Sequence, residues 1–167
     1  RHDSLTKLMN RAAFLEAATA ASDAHAAGGP PYDILFLDLD RFKIINDTFG
    51  HAVGDLALKG LAERLEAIIS PNDALARFGG DEFLVLHPCG PGDEPTATLA
   101  ERIVRKLTEP LVVDGHEVAV GVSIGVATPA GMHEPAETTI GHADIAMYRA
   151  KKDGGDRLRL FDPELAD

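Results

Sequence analysis

Cysteine is nearly missing from this chain: Cys89 is the single one in 167 residues. No internal disulfide framework and no cysteine-rich zinc site can be built from it, and one lone thiol suits a reducing compartment. Cations are scarce as well. Lys and Arg number 16 against 27 Asp and Glu, for a formal charge of -11. The phosphates of a duplex repel such a surface unless its few cations are tightly grouped, so nucleic acid is not the expected partner. Nowhere does an apolar run approach the ~18 residues a membrane span needs, and no basic, apolar, small-residue leader opens the sequence. The expectation is a cytoplasmic segment that makes no membrane contact. Repeats and long linkers are also missing. The chain is about the size of one domain, able to bury a full core but too short for two catalytic domains. Its first residue, Arg1, reads as the start of a piece taken from a longer protein, with any targeting or tethering segment elsewhere.

What is present is an alternation of strand and helix patterns, which predicts an α/β domain with helices packed on a sheet. Asn10 is a candidate N-cap for a helix through RAAFLEAATAASDAHAA, stopped by Gly28, Gly29, Pro30 and Pro31. Tyr32 to Asp40 reads as a buried strand. Leu58, Leu61, Leu65 and Ile68 recur at helical steps and predict a helix from about Asp55 to Ile69. ALARF and EFLVLH, separated by Gly79-Gly80-Asp81, predict a hairpin. A helix from about Thr96 to Leu107 follows, then a second hairpin turning at Asp114-Gly115, with HEVAVGVSIGVA as one return strand. In that strand Val118, Val120, Val122, Ile124 and Val126 share one face, while Ala119, Gly121, Ser123, Gly125 and Ala127 leave the other open to close packing. A last helix, about Glu137 to Lys152, and a closing strand RLRLF complete the pattern.

Three groups of residues carry chemistry. Asp38 and Asp40 point the same way at the end of the first strand. Burying both uncompensated would be costly, so they are expected to emerge at its carboxyl end, where open sheets bind ligands. They are either two solvated acids or part of a Mg²⁺ site, which needs only one or two carboxylates when substrate phosphates and waters supply the remaining oxygens. Gly79, Gly80, Asp81 and Glu82 sit at a hairpin tip. The glycines serve positive φ, or let the backbone approach a ligand, and Asp81 can share a metal with Asp38 if the hairpin lies beside the first strand. After that strand come Lys43, Asn46, His51 and Asp55. Lys43 is a surface lysine or a phosphate contact. Asn46 and Asp55 are helix caps, or together read a guanine edge, the carboxylate accepting from N1 and N2 while the amide pairs with O6 or N3. His51 is structural or a ligand contact.

Asp3-Ser4-Leu5-Thr6 with Asn10-Arg11, then FLDLDRFKIINDTFGHAVGD, RFGGDEF, SIGVA and ADIAMYRAKKDGG, in that order, resemble the GGDEF family of diguanylate cyclase domains. The likeness runs from His2 to about Arg157, far more than any single motif. It implies a central, largely antiparallel sheet flanked by helices, an α+β fold related to nucleotidyl cyclases and polymerase palms with a ferredoxin-like core. It implies condensation of two GTP into cyclic di-GMP with release of two pyrophosphates, by two domains acting as a two-fold homodimer with Mg²⁺ or Mn²⁺, two ions per active site. Carried over by position, Asp38 and Asp81 match metal-binding acids and Leu39 a metal-binding carbonyl. Asn46, His51 and Asp55 match guanine and nucleotide contacts, Gly79 and Gly80 the signature turn, and Lys43 and Lys151 phosphate contacts. Asp81 or Glu82 is the acceptor of the 3′-hydroxyl proton. Lys151 otherwise relieves a helix C-terminus.

Two positions depart from the family pattern. The product-inhibition motif Arg-x-x-Asp reads Ser70-Pro71-Asn72-Asp73, so Asp73 remains while the arginine fork that grips phosphate is gone, and feedback inhibition is expected to be weak or absent. Gly155 stands where an arginine often follows Gly154, with Arg157 as a possible substitute. The whole chain, 1–167, reads as one GGDEF domain, with 158–167 resembling the start of a linker to a downstream phosphodiesterase domain of the EAL type. The competing reading is a catalytically weak GTP-binding module that regulates such a neighbour. A polymerase-like palm would share the acids but lacks a basic template groove.

Overall fold

The computed structural model describes residues 1–165. The proposed linker start therefore falls partly outside the described residues, at 166–167. Asn10 ends the extended start: its side chain accepts the Ala13 amide at 2.9 Å, satisfying one of the orphan donors at the head of α1 (Arg11–Ala26). β1 (Tyr32–Asp40) has the bounds its apolar run predicts.

The main difference from the sequence reading comes next. In place of one helix starting near Asp55, two helices, α2 (Phe42–Phe49) and α3 (His51–Ile68), meet at a corner made by Gly50 alone. Gly50 has φ +89, left-handed backbone that glycine adopts without strain. α2 buries only Phe42 and Ile45, too few positions to register as a periodic stripe, and the glycines at 50 and 54 hid the first turn of α3.

The hairpin of β2 (Ala74–Gly79) and β3 (Glu82–Pro88), then α4 (Thr96–Leu107), follow as expected. The expected single return strand breaks after Val118. β5 (His116–Val118) pairs only with β4 (Leu111–Val113) as a separate ribbon, while β6 (Gly121–Ala127) enters the main sheet. α5 (Ala136–Lys152), β7 (Arg157–Leu160) and a 3-10 turn at Pro163–Leu165 close the described chain.

The main sheet has the order β2-β3-β1-β6-β7, with antiparallel neighbours except for the parallel β6–β7 pair. Period-two alternation divides its side chains between two cores. Leu35, Leu37 and Leu39 pack with Val122, Ile124 and Val126 against α3 and α4, while Ile34, Phe36 and Leu84 pack against α1 and α5. The small-residue face of β6 is occupied by α5: a Cβ at Gly125 would overlap the backbone of Ala143 and Met147. The expected α+β architecture, a largely antiparallel sheet flanked by helices, is the one observed.

Candidate functional site

Register brings the two acid groups together. β1 and β3 pair with Asp38 opposite Glu82, and the Leu39 amide donates to the Asp81 carbonyl at 3.1 Å, so the hairpin tip lies against the end of β1. A register shift between Arg77 and Gly79 and the positive φ of Gly80, +38, shape that tip. Burial, and then the neighbouring charge of Asp81, push the Asp38 carboxyl up to about 6, with Lys151 opposing. The Lys151 ammonium stands 3.3 Å from Asp38 and 3.0 Å from Asp40. Burial pulls its pKa down, yet hydrogen bonds and charge from these two acids hold it above the ordinary lysine value. It is therefore committed to the acids and does not simply relieve the end of α5.

Asp40 differs from expectation. It does not emerge into solvent but is 4% exposed. It is compensated there: its carboxylate accepts from Ser123 Oγ at 2.7 Å, the Asp156 amide at 2.8 Å and Lys151 at 3.0 Å. Those bonds outweigh burial and hold its pKa below the usual carboxylate value.

A cavity of about 250 Å³ opens between α2, α3 and the hairpin tip, lined by Phe42, Lys43, Asn46, Asp55, Leu58, Arg77, Gly80 and Asp81. Five of the residues singled out from sequence thus share one wall. Asn46 lies inside α2 and Asp55 inside α3, so neither is the N-cap of its helix; the capping alternative is removed. His51 is the exposed first residue of α3 and is not part of the lining. Arg77 was overlooked. Its Nε donates to the Gly80 carbonyl at 2.9 Å and its guanidinium pairs with Asp3 at 3.2 Å, tying the N-terminal Asp3-Ser4-Leu5-Thr6 turn to the signature loop. The signal was available, since a cation two residues before paired glycines is conspicuous in so acidic a chain.

Glu82, opposite Asp38 in register, points with it to the α1 and α5 side of the sheet, away from this cavity. It borders a separate cavity of about 540 Å³ between α1 and α5, with Arg11, Phe36, Phe78, Glu137 and Asp144. Burial, then the charges of Asp144 and Asp81, raise its pKa. The Arg11 guanidinium lies 4.0 Å over the Phe78 ring.

Both departures acquire a physical basis. Asp73 is not a free remnant: its side chain is 2% exposed, meets His87 Nδ1 at 2.7 Å, and accepts the Ser70 amide at 2.9 Å. At the other departure, Gly155 has φ +72, and a Cβ there would come within 2.6 Å of Asp40 Oδ2, so a side chain cannot stand there without displacing the Asp40 network. Arg157 turns back on its own loop. Its Nε donates back to the Gly155 carbonyl at 2.9 Å, and it borders a groove with Glu101, Val104 and Arg105 of α4.

Among the described residues no three His, Cys, Asp or Glu side chains converge as a ready metal cage. Two adjacent acids, Asp38 and Asp81, the first raised by burial and by the charge of the second even with Lys151 beside it, fit a cation that draws its remaining oxygens from phosphates and water.

Sequence comparison joins this geometry to known proteins. The family described as "Diguanylate cyclase, GGDEF domain" matches residues 1–157. The chain belongs to the GGDEF family of diguanylate cyclase domains. Among its relatives is MucR of Pseudomonas aeruginosa, a bifunctional diguanylate cyclase/cyclic di-GMP phosphodiesterase, 38% identical over 98% of this chain and 24% of that protein. The chain spans about a fifth to a quarter of the length of such curated relatives. Among solved structures, the GGDEF domain of TpbB (YfiN) from Pseudomonas aeruginosa superposes with TM-score 0.88 at 36% identity, covering 97% of this chain and 95% of that one. The GGDEF domain of DgcB from Caulobacter crescentus, in complex with c-di-GMP, gives TM-score 0.87 at 30% identity, covering 96% and 93%. No helix among the described residues of this GGDEF domain is long and apolar enough to cross a membrane.

Proposed function

We propose that this domain condenses two GTP molecules into cyclic di-GMP, each domain of a two-fold homodimer holding one GTP. The observation that carries the reading is the convergence of Lys43, Asn46, Asp55 and Asp81 on one cavity beside Asp38 and Lys151. Asn46 and Asp55 present an amide and a carboxylate to a guanine edge. Lys43 and Lys151 offset phosphate charge, and the turn at Gly79 and Gly80 lets the nucleotide approach the backbone. His51, exposed at the start of α3, contacts the nucleotide only from the rim. Asp38, Asp81 and the Leu39 carbonyl hold Mg²⁺ or Mn²⁺, two ions per site. When bound, these ions neutralise the α-phosphate and lower the pKa of the attacking hydroxyl.

In each half-reaction the 3′-hydroxyl oxygen of one GTP bonds to the α-phosphorus of the other while the bond to pyrophosphate breaks. The hydroxyl proton passes to Asp81 or Glu82; burial and the charges of Asp144 and Asp81 raise the Glu82 pKa, the direction an acceptor of that proton needs. Dimerisation supplies proximity, because one domain brings one nucleophile and one electrophile.

A second reading keeps GTP binding but reduces turnover, with the domain regulating an attached EAL-type phosphodiesterase. Gly155 favours it, since the arginine that commonly stands there is lost and its place is blocked by Asp40. On either reading the linker to the downstream domain starts later than residue 158, because 157–160 form β7 of the main sheet, and the segment works in the cytoplasm. The deciding experiment measures cyclic di-GMP formed from GTP with Mg²⁺ or Mn²⁺ across a range of protein concentrations. Product rising more steeply than protein concentration supports a dimeric cyclase. GTP binding without product at high concentration rejects cyclase activity.

A further inference from the structure

The guanine-reading role proposed for Asn46 depends on a residue that touches no base. Gly54 lies inside the first turns of α3 and is buried, where glycine is a much poorer helix former than alanine. Its backbone amide makes an ordinary helical bond to the Gly50 carbonyl at 3.1 Å, so nothing in the local backbone demands glycine: of the two, only Gly50 has a positive φ. What requires it is Asn46. A Cβ at Gly54 would overlap Asn46 Oδ1 and come within 2.9 Å of Asn46 Cγ, a separation that real side chains do not tolerate. Asn46 Nδ2 lies further away, 3.7 Å from the same point.

The one-residue corner at Gly50 folds α2 back on α3 and presses the Asn46 carboxamide against the bare Cα of Gly54. The neighbouring residue Asp55 lines the same cavity as Asn46. We infer that Gly54 is a specificity-positioning residue: its missing side chain is the seat that holds the Asn46 amide with its oxygen inward and its nitrogen free to donate to the base, at a fixed offset from Asp55. Guanine preference then depends on a steric void in α3 as well as on the two polar groups that bound it. This rests on the reading of Asn46 and Asp55 as base contacts.

The test compares Gly54→Ala, Asn46→Ala and the double variant. Calorimetry measures binding of GTP and of ATP, and thermal unfolding measures Tm. Asn46→Ala is expected to lower the GTP-over-ATP preference about tenfold, as loss of one base hydrogen bond does. Gly54→Ala is expected to lower it by a similar factor and to lower Tm, although alanine is the better helix former. In the Asn46→Ala background, Gly54→Ala should leave the preference unchanged and raise Tm, because the collision is gone and only the propensity gain remains. The Tm comparison stays informative even if Gly54→Ala alone folds too poorly to bind nucleotide.

Gly54→Ala with wild-type preference, beside an Asn46→Ala that loses it, overturns the seat while leaving the base-reading role of Asn46 standing. A double variant less stable than Asn46→Ala also overturns it, since the clash would then be with something else. Unchanged preference in Asn46→Ala overturns the base-reading assignment, and the seat with it.

Discussion

The buried pair His87–Asp73 gives the sharpest test of how this domain is held together. His87 Nδ1 faces the Asp73 carboxylate at 2.7 Å and Nε2 faces the Glu94 carbonyl at 2.7 Å. A carbonyl and an ionised carboxylate only accept, so the ring satisfies both contacts when it is protonated to the imidazolium. The side chains are 5% and 2% exposed, and Glu94 is itself paired to Arg102 at 2.8 Å. Burial works against the charge, but the bonds to Glu94 and Asp73 outweigh it and raise the His87 pKa, with Asp93 adding to the effect. Replacing His87 with leucine leaves the Asp73 carboxylate buried with little but the Ser70 amide.

Breaking one side of a buried pair costs about 3–5 kcal/mol. At roughly 2–4 °C per kcal/mol for a domain this size, Tm should fall by about 6–20 °C. A double replacement, His87→Leu with Asp73→Leu, should recover most of that, because a packed apolar pair is close to neutral against the ion pair. The pH dependence has a definite sign. With the folded pKa above the unfolded value, the stabilisation is fully present below about pH 6.5 and is lost as pH rises through the folded pKa. Urea unfolding of wild type and of the His87→Leu/Asp73→Leu double variant from pH 5.5 to 9 measures it, since removing both partners leaves the remaining titrating groups common to the two proteins. The expected result is a stability gap that is widest at low pH and narrows upward. A gap independent of pH, or a His87→Leu cost below about 1 kcal/mol, refutes the imidazolium.

Three further outcomes are expected. Micromolar cyclic di-GMP should neither inhibit turnover nor bind near Asp73, because the carboxylate is buried against His87 and Ser70 replaces the arginine; tight calorimetric binding lost on Asp73→Ala would contradict this. Asp55→Ala should reduce GTP affinity and its preference over ATP, each base donor left unpaired costing about 1–3 kcal/mol; unchanged nucleotide preference would remove Asp55 from base reading. Gly155→Arg should not restore a phosphate contact but should destabilise the fold by about 1–3 kcal/mol, through left-handed backbone strain and collision with Asp40. A Gly155→Arg protein with unchanged Tm and raised turnover would show that the Asp40 network yields.

Much of this domain is legible in one dimension. The alternation of β6, bulky on one face and small on the other, foretold both a core side and a close helix contact, because strand side chains alternate whatever the sheet does around them. The ordered motifs identified the family, and the bounds of β1 follow from an apolar run long enough to stand out. The corner at Gly50 did not stand out, because an eight-residue helix with two buried side chains has no periodic signal of its own. The split of β5 from β6 was equally hidden, since local pattern specifies faces but not which strand becomes the neighbour.

By itself, the sequence determined which residue types are available for chemistry and that they belong to a GGDEF domain. Tertiary structure alone decided how those residues are used. Asp38 and Asp40 are two positions apart and share a face, yet one lies among acids under a lysine and the other is buried in hydrogen bonds with β6 and the turn before β7. Asp73 reads as half of a ligand site and is instead the counter-ion of His87, a partner fourteen residues away. Charge, burial and reach depend on what the fold brings within a few ångströms, and that distance is not a property of the chain until it has closed on itself.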